Sequence, residues 1–156
     1  MNTAQPDTRI HNPAGVRVVS AVQIPTSAQA AWAMVGDFGG FDQFIPALET
    51  IQVTGEGLGR VRHKTFKDGN FAIEQLNSHN TPDMTMTWTL IHTSLPVGNL
   101  WAAMQVVPQG LATCEASWTI QAEPASTGDL QDPEAFRTFL QSFADGAMNE
   151  VKRLLS

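Results

Sequence analysis

The stretch from Met84 to His92, MTMTWTLIH, alternates between two kinds of side chain. Its two sets are Met84, Met86, Trp88, Leu90 and His92 on one side and Thr85, Thr87 and Thr89 on the other. Because successive side chains of a strand point to opposite faces of the sheet, this period of two predicts a strand with one covered face and one face in water. Residues 112–122, ATCEASWTIQA, repeat the pattern. The chain must therefore build a sheet whose apolar face is covered by another element.

Short turns separate the strand candidates along the chain. The candidates are residues 16–24, 47–53, 59–66, 70–78, 84–92, 99–107 and 112–122. The gaps between the later candidates carry glycine, proline and an Asp-Gly pair, which are typical of turns. Strands joined by connections this short run antiparallel. We therefore predict one curved antiparallel sheet of about seven strands.

Helical patterns follow the first strand and close the chain. Residues 26–38 predict a short helix with Thr26 as its cap, and residues 39–46 predict one turn of a second short helix. The last 25 residues, 132–156, predict a long helix capped by Asp132. Its apolar side chains recur at helical spacing on one face: Phe136, Leu140, Phe143, Ala147, Val151 and Leu154. This face must lie against the sheet, which makes the fold class α+β.

Composition excludes several classes of partner. The 156 residues carry a net charge of −6, and their nine basic side chains are scattered singly, so nucleic acid is not an expected partner. The single cysteine cannot form an internal disulfide, and the start of the chain lacks the features of a signal peptide. No stretch is long enough to span a bilayer. We expect a cytoplasmic monomer or homodimer, with residues 1–15 as a flexible leader and 16–156 as a single domain.

Several stretches resemble a known superfamily. They are IPTSAQAAWAMVGDFGGFDQFIP, GEGLGRVRHKTFKDG, IEQL, LPVGN and ASWTI. With the order of elements, they make residues from about 16 to 155 similar to the START-like, birch-pollen-allergen-like (SRPBCC) superfamily, and in particular to its polyketide cyclase/dehydratase-like branch. That branch usually has Trp near Phe44 and Tyr near Trp88, and this chain has no tyrosine. The resemblance implies a helix-grip fold with a deep pocket between sheet and helix, which takes a small hydrophobic or amphipathic molecule.

The hairpin around Asp68-Gly69 carries a candidate acid/base pair. A two-residue turn at this dipeptide, or a four-residue loop, would place His63 opposite Glu74 on one face. In that arrangement Arg62 and Lys64 lie in water. The opposite arrangement, with Phe71 and Ile73 inward, satisfies the same pattern, since register is not fixed by the sequence alone. The resemblance favours an inward Glu74, because a glutamate just ahead of Leu, as in IEQL, commonly faces the cavity in this superfamily.

An inward pair of this kind could share a proton near neutral pH and enolise a ketone or drive a dehydration. His92, at the inward end of its strand, could polarise a carbonyl group. The catalytic candidates are therefore His63, Glu74 and His92. A structural ion pair and a histidine on the pocket rim are the alternatives. We expect no metal, because these three residues lack close ligand spacing, and no cofactor.

The expected ligand-binding residues are apolar side chains on the inner face of the sheet and on the final helix. They are Met84, Met86, Trp88, Leu90, Leu100, Met104, Cys114, Trp118, Phe139, Phe143 and Ala147. The same set would also serve a dry core, which is the commoner use of such residues. Three functions remain open: a cyclase/dehydratase-type enzyme of polyketide or related secondary metabolism, a carrier of a hydrophobic metabolite or lipid, and a protein-interaction module.

Overall fold

A computed structural model describes residues 15–128 and 130–156. The strands are β1 Val16–Ile24, β2 Leu48–Thr54, β3 Val61–Phe66, β4 Phe71–Asn80, β5 Thr85–Thr93, β6 Val97–Pro108 and β7 Cys114–Pro124. The helices are α1 Ala28–Val35 and α2 Pro133–Leu155, and Phe41–Gln43 form one turn of 3-10 helix. The predicted leader, apart from Gly15, lies outside the described residues.

The strands form one antiparallel sheet in the order β1-β7-β6-β5-β4-β3-β2. Strands β2 to β7 follow one another as hairpins, and β1 pairs with β7 along its whole length, from Val16 with Ala122 to Ile24 with Cys114. Helix α2 packs against β1 and β7, and α1 packs against β6 and β7. The predicted helix-grip fold is confirmed.

Helix ends differ slightly from the prediction. Ser27, one residue after the predicted Thr26, caps α1 by accepting a hydrogen bond from the backbone N–H of Ala30. Asp132 caps α2 as predicted, by accepting from the N–H of Ala135. The second short helix is a single 3-10 turn. The apolar face of α2 buries Phe136, Leu140, Ala144, Ala147, Met148 and Val151 against the sheet.

The β3–β4 hairpin turns in three residues, which reverses the predicted faces of β3. The N–H of Phe66 donates to the carbonyl of Asn70, and Gly69 has a φ of +92°, a conformation that favours glycine. An odd number of turn residues pairs Arg62 with Glu74 and His63 with Ile73. The predicted contact between His63 and Glu74 is therefore wrong.

A β-bulge changes the side of His92. Leu90 pairs with Glu74, whereas His92 pairs with Ile73, so Ile91 is an extra residue in β5. After the bulge His92 lies on the outer face and Thr93 on the inner face. The predicted inward orientation of His92 is wrong for this reason: it extended the alternation of residues 84–90 past Ile91, where the alternation is already broken.

Candidate functional site

A cavity lies between the inner face of the sheet and α2. Its lining comprises Lys64, Phe66, Ala72, Glu74, Trp88, Leu90, Thr93, Leu95, Val97, Leu100, Ala102, Trp118, Ile120, Phe139, Leu140 and Phe143. The cavity has a volume of about 60 Å³. The small side chains of Ala72 in β4 and Ala102 in β6 leave this space open. Farther along the same strands, the larger side chains of Leu76 and Met104 fill the core.

Six of the eleven predicted ligand-binding residues line this cavity: Trp88, Leu90, Leu100, Trp118, Phe139 and Phe143. Met86, Met104, Cys114 and Ala147 do not line it, because they are buried in the solid core at the other end of the sheet. There α1 covers the sheet, and the Cys114 Sγ lies 3.9 Å from the carbonyl oxygen of Ser27. Burial in this core raises the pKa of Cys114. Met84 also lies outside the cavity, half-buried just before β5.

Three charged side chains form a cluster at the cavity wall, which we call the charge cluster: Arg62, Lys64 and Glu74. Their exposed fractions are 0%, 3% and 5%. The Arg62 Nε lies 2.8 Å and the Lys64 Nζ lies 3.0 Å from the same oxygen, Oε1 of Glu74. Lys64 and Glu74 line the cavity, and Arg62 lies behind them. The predicted inward orientation of Glu74 is confirmed, but with cations as its neighbours.

Aromatic rings hold Arg62 in place. Its guanidinium carbon lies 4.2 Å from the ring centre of Phe38, 4.1 Å from that of Phe41 and 4.8 Å from that of Trp88. One guanidinium nitrogen also donates to the carbonyl of Phe38, over 2.8 Å. Guanidinium groups stack on aromatic faces and are weakly hydrated, so arginine tolerates such a site better than lysine does. The segment after α1 thus fixes the charge cluster from behind.

Burial and pairing shift the protonation of the cluster in definite directions. For Glu74, burial acts to raise the pKa, but Lys64 and Arg62 outweigh it, so the pKa falls below its ordinary value. For Lys64, burial lowers the pKa, Glu74 offsets part of this effect, and Arg62 adds to it. Burial also lowers the pKa of Arg62. Glu74 is consequently ionised at neutral pH, and the Lys64 ammonium is a stronger acid than an ordinary lysine.

These shifts predict how stability depends on pH. The unfolded chain holds a proton on Glu74 up to a higher pH than the folded chain does, so stability falls as pH drops below about 4.5, the ordinary pKa. The unfolded chain likewise holds the Lys64 proton more tightly, so stability rises with pH between the lowered pKa of Lys64 and its ordinary 10.5. Urea unfolding at several pH values should show the alkaline rise in the wild type and a smaller rise in Lys64→Met. Identical curves would contradict the assignment to Lys64.

Several donors at the site have no acceptor. The Nη2 of Arg62 and the indole Nε1 atoms of Trp88 and Trp118 are buried and have no hydrogen-bond partner among the described residues. Both tryptophans line the cavity. A buried donor without a partner costs free energy, so such a group calls for an acceptor that the described chain does not provide.

The predicted histidines lie elsewhere. His63 and His92 are exposed on the outer face, on either side of Phe71, with ring centres 5.8 Å and 5.4 Å from its ring. His79 contacts the carbonyl of Gly36 at 2.7 Å, which suits a structural role. Arg62 and Lys64 were not among the site residues predicted from the sequence, because their charges were expected to lie in water. The available signal was that Arg62, Lys64 and Phe66 lie on one face of the strand, so the face that carries the apolar Phe66 also carries the two cations.

The sheet is split beside the cavity. Strands β5 and β6 pair from Thr85 with Gln105 to Thr89 with Trp101, and within the described chain no pairing is found between them beyond that point. Leu90, Thr93 and Val97 line the cavity and also an outer pocket at this gap. The gap therefore lies where the cavity approaches the outer surface.

The part of the chain that the structure describes has no group of three histidine, cysteine or carboxylate side chains placed to hold a metal ion. Nor does it have a helix long and apolar enough to cross a membrane.

Comparisons with known proteins agree with this architecture. The family model for "Polyketide cyclase / dehydrase and lipid transport" matches residues 15–156. XoxI from Bacillus cereus superposes with a TM-score of 0.80 at 19% identity, over 90% of this chain and 95% of that one. The Zhui aromatase/cyclase from Streptomyces sp. R1128 superposes with a TM-score of 0.79 at 15% identity, over 90% of this chain and 93% of that one. A START superfamily protein from Mycobacterium smegmatis superposes with a TM-score of 0.68 at 13% identity, over 88% of this chain and 98% of that one.

Among curated proteins, no match was found. At identities of 13–19%, the likeness to solved structures shows the fold alone. The family match covers nearly the whole chain, and together with the pocket it supports a protein that binds a hydrophobic molecule. The chain belongs to the polyketide cyclase/dehydrase and lipid transport family, which confirms the branch that its sequence resembles.

Proposed function

We propose that this protein is an enzyme of the cyclase or dehydratase type, which acts without a cofactor on a small hydrophobic molecule of polyketide or related secondary metabolism. The observation that carries the proposal is the position of Lys64 and Glu74, an acid and a carboxylate 3.0 Å apart, on the wall of an otherwise apolar cavity. Perturbed ionisable groups in such a cavity are candidates for proton transfer. The name of the Zhui aromatase/cyclase, a protein with the same fold, lends further support.

The chemistry assigns one role to each group. Both cations contact Oε1 of Glu74, and Oε2 makes no hydrogen bond within the described residues. Oε2 takes a proton from the carbon beside a carbonyl group, and the Lys64 ammonium hydrogen-bonds to the enolate oxygen that forms. The enolate carbon attacks a second carbonyl of the same molecule, and Lys64 gives its proton to the new alkoxide.

The cycle then repeats for the loss of water. Glu74 returns its proton to Lys64 across the 3.0 Å contact. Glu74 takes a second proton from the same carbon, and the hydroxyl group leaves as water with the proton of Lys64. Glu74 then returns this second proton to Lys64, so the substrate has closed a ring and lost one water molecule with no net change in the protein. In this scheme Lys64 takes the role that the sequence suggested for the two histidines.

A specific observation favours a second candidate, a carrier that binds the molecule without changing it. Two cations hold the Glu74 carboxylate and lower its pKa, which makes it a weak base. In a carrier, Lys64 and Glu74 only fix the orientation of the ligand.

Proton exchange on a small ketone separates the two candidates. We expect the wild type to bind 2-tetralone and to speed exchange of its α-hydrogens in D2O, followed by NMR. Lys64→Met should lower the protein-catalysed exchange rate by about 100-fold, the usual scale of general acid–base catalysis, while 2-tetralone still binds in calorimetry.

His63→Gln is the matched control, because His63 lies on the same strand but on the outer face. It should leave the exchange rate unchanged. Binding of the ketone without any catalysed exchange would reject the enzyme in favour of the carrier. A His63→Gln variant without activity would contradict the cavity as the site of catalysis.

A further inference from the structure

The charge cluster is not neutral when its members are ionised. Two cations, Arg62 and Lys64, share one carboxylate, Glu74, and all three are at least 95% buried. Lys64 and Glu74 are the only ionisable groups among the described residues that line the cavity. The charge cluster, with Lys64 and Glu74 on the cavity wall and Arg62 behind them, therefore carries one positive charge that the described residues do not balance. A buried charge without a counter-charge is costly, and binding of an anion would remove that cost.

The hydrogen-bond donors point to the same kind of ligand. The indole N–H groups of Trp88 and Trp118, two residues that line the cavity, are buried without an acceptor in the described chain, as is the Arg62 Nη2 behind the wall. An ammonium group also has three N–H bonds, and the described contacts of the Lys64 ammonium use one acceptor, Glu74 Oε1. The site thus has a surplus of donors as well as a surplus of positive charge.

The rest of the cavity is apolar and rich in rings, including Phe66, Phe139 and Phe143. We propose that the ligand is a hydrophobic, ring-sized molecule with one oxyanion group, a carboxylate or an enolate, which binds against Lys64. This inference rests on the proposed function, since it names the class of molecule that the same cavity takes.

Three probes with the same ring test the inference on the full chain: 2-naphthoate, 2-naphthalenemethanol and 2-naphthylmethylamine. They carry a negative charge, no charge and a positive charge at neutral pH. We expect calorimetry to show that affinity falls from the anion to the alcohol to the amine. 2-Naphthoate should bind about tenfold more tightly than the alcohol, which is the usual gain from a hydrogen bond to a charged group. This comparison uses the wild type and does not depend on the folding of any variant.

Lys64→Met then locates the effect. It should lower the affinity for 2-naphthoate by about tenfold and change the affinity for the alcohol by less than about threefold. Lys67→Met is the matched control, because Lys67 is an exposed lysine at the turn of the same hairpin. It should change neither affinity. The same preference for the anion in Lys64→Met and the wild type would overturn the proposal.

The outcomes separate this inference from the proposed function. Equal affinities for the three probes in the wild type, or tightest binding of the amine, would contradict the proposal that the ligand carries an oxyanion. Either result would still be consistent with a pocket that binds hydrophobic molecules. Failure of all three to bind would contradict both the inference and the cavity as a binding site.

Discussion

Glu74→Gln is expected to lower the free energy of unfolding by about 3–5 kcal/mol, the usual cost of breaking a buried ion pair from one side. The substitution keeps the shape of the side chain but leaves Arg62 and Lys64 buried without a counter-charge. Both cations are almost fully buried, with exposed fractions of 0% and 3%. Urea unfolding at pH 7 measures the loss.

Two further variants make the experiment specific. Glu150→Gln removes the carboxylate of the ion pair with Arg153, which lies on the surface of α2, and should have a much smaller effect because such pairs are screened by water. Adding Lys64→Met to Glu74→Gln should recover part of the stability, since it removes one of the two stranded cations. Equal losses for Glu74→Gln and Glu150→Gln would show that the charge cluster is hydrated rather than buried.

Trp88→Ala is expected to lower the free energy of unfolding by about 3–5 kcal/mol, as is usual when a large aromatic side chain is removed from a core. Trp88 is fully buried, and its ring lies 5.5 Å from that of Phe41 and 5.8 Å from that of Trp118. Its ring also faces the guanidinium group of Arg62. The substitution removes packing on both sides at once, and the cavity already beside it leaves few atoms to fill the space.

Phe71→Ala provides the control for loss of an aromatic ring from the same sheet. Phe71 is half-buried on the outer face between two exposed histidines, so its removal should cost much less. Urea unfolding of the two variants gives the comparison. A loss for Trp88→Ala no larger than that for Phe71→Ala would mean that the cavity wall collapses into the vacated space.

The fold was predictable from the sequence because its signals are local and repeated. Strand-like runs between turn residues, two of them with clear alternation, predicted all seven strands with every end within two residues, and the short turns predicted their antiparallel order. The face of α2 that packs on the sheet followed from helical spacing, although Leu154, predicted on that face, is 40% exposed. The inward orientation of Glu74 came from the family resemblance rather than from spacing.

The site was less predictable because it depends on single-residue steps in register. Asp68-Gly69 fits a turn of two or three residues, and only the length of the turn decides whether His63 or Arg62 lies opposite Glu74. The bulge at Ile91 has the same effect on His92. The rule that charges face water also failed, because Arg62 and Lys64 gain a carboxylate and several rings that are distant in sequence.

The gap between β5 and β6 has an energetic consequence for access to the cavity. Moving Leu90–Thr93 away from Val97–Leu100 breaks no backbone hydrogen bond between these strands, since their pairing ends at Thr89 and Trp101. Each side of the gap is instead held by its other neighbour, since Leu90–Thr93 pair with β4, and Val97 and Leu100 pair with β7. A guest molecule that entered between the ends of β5 and β6 would therefore leave both ladders and the core under α1 closed.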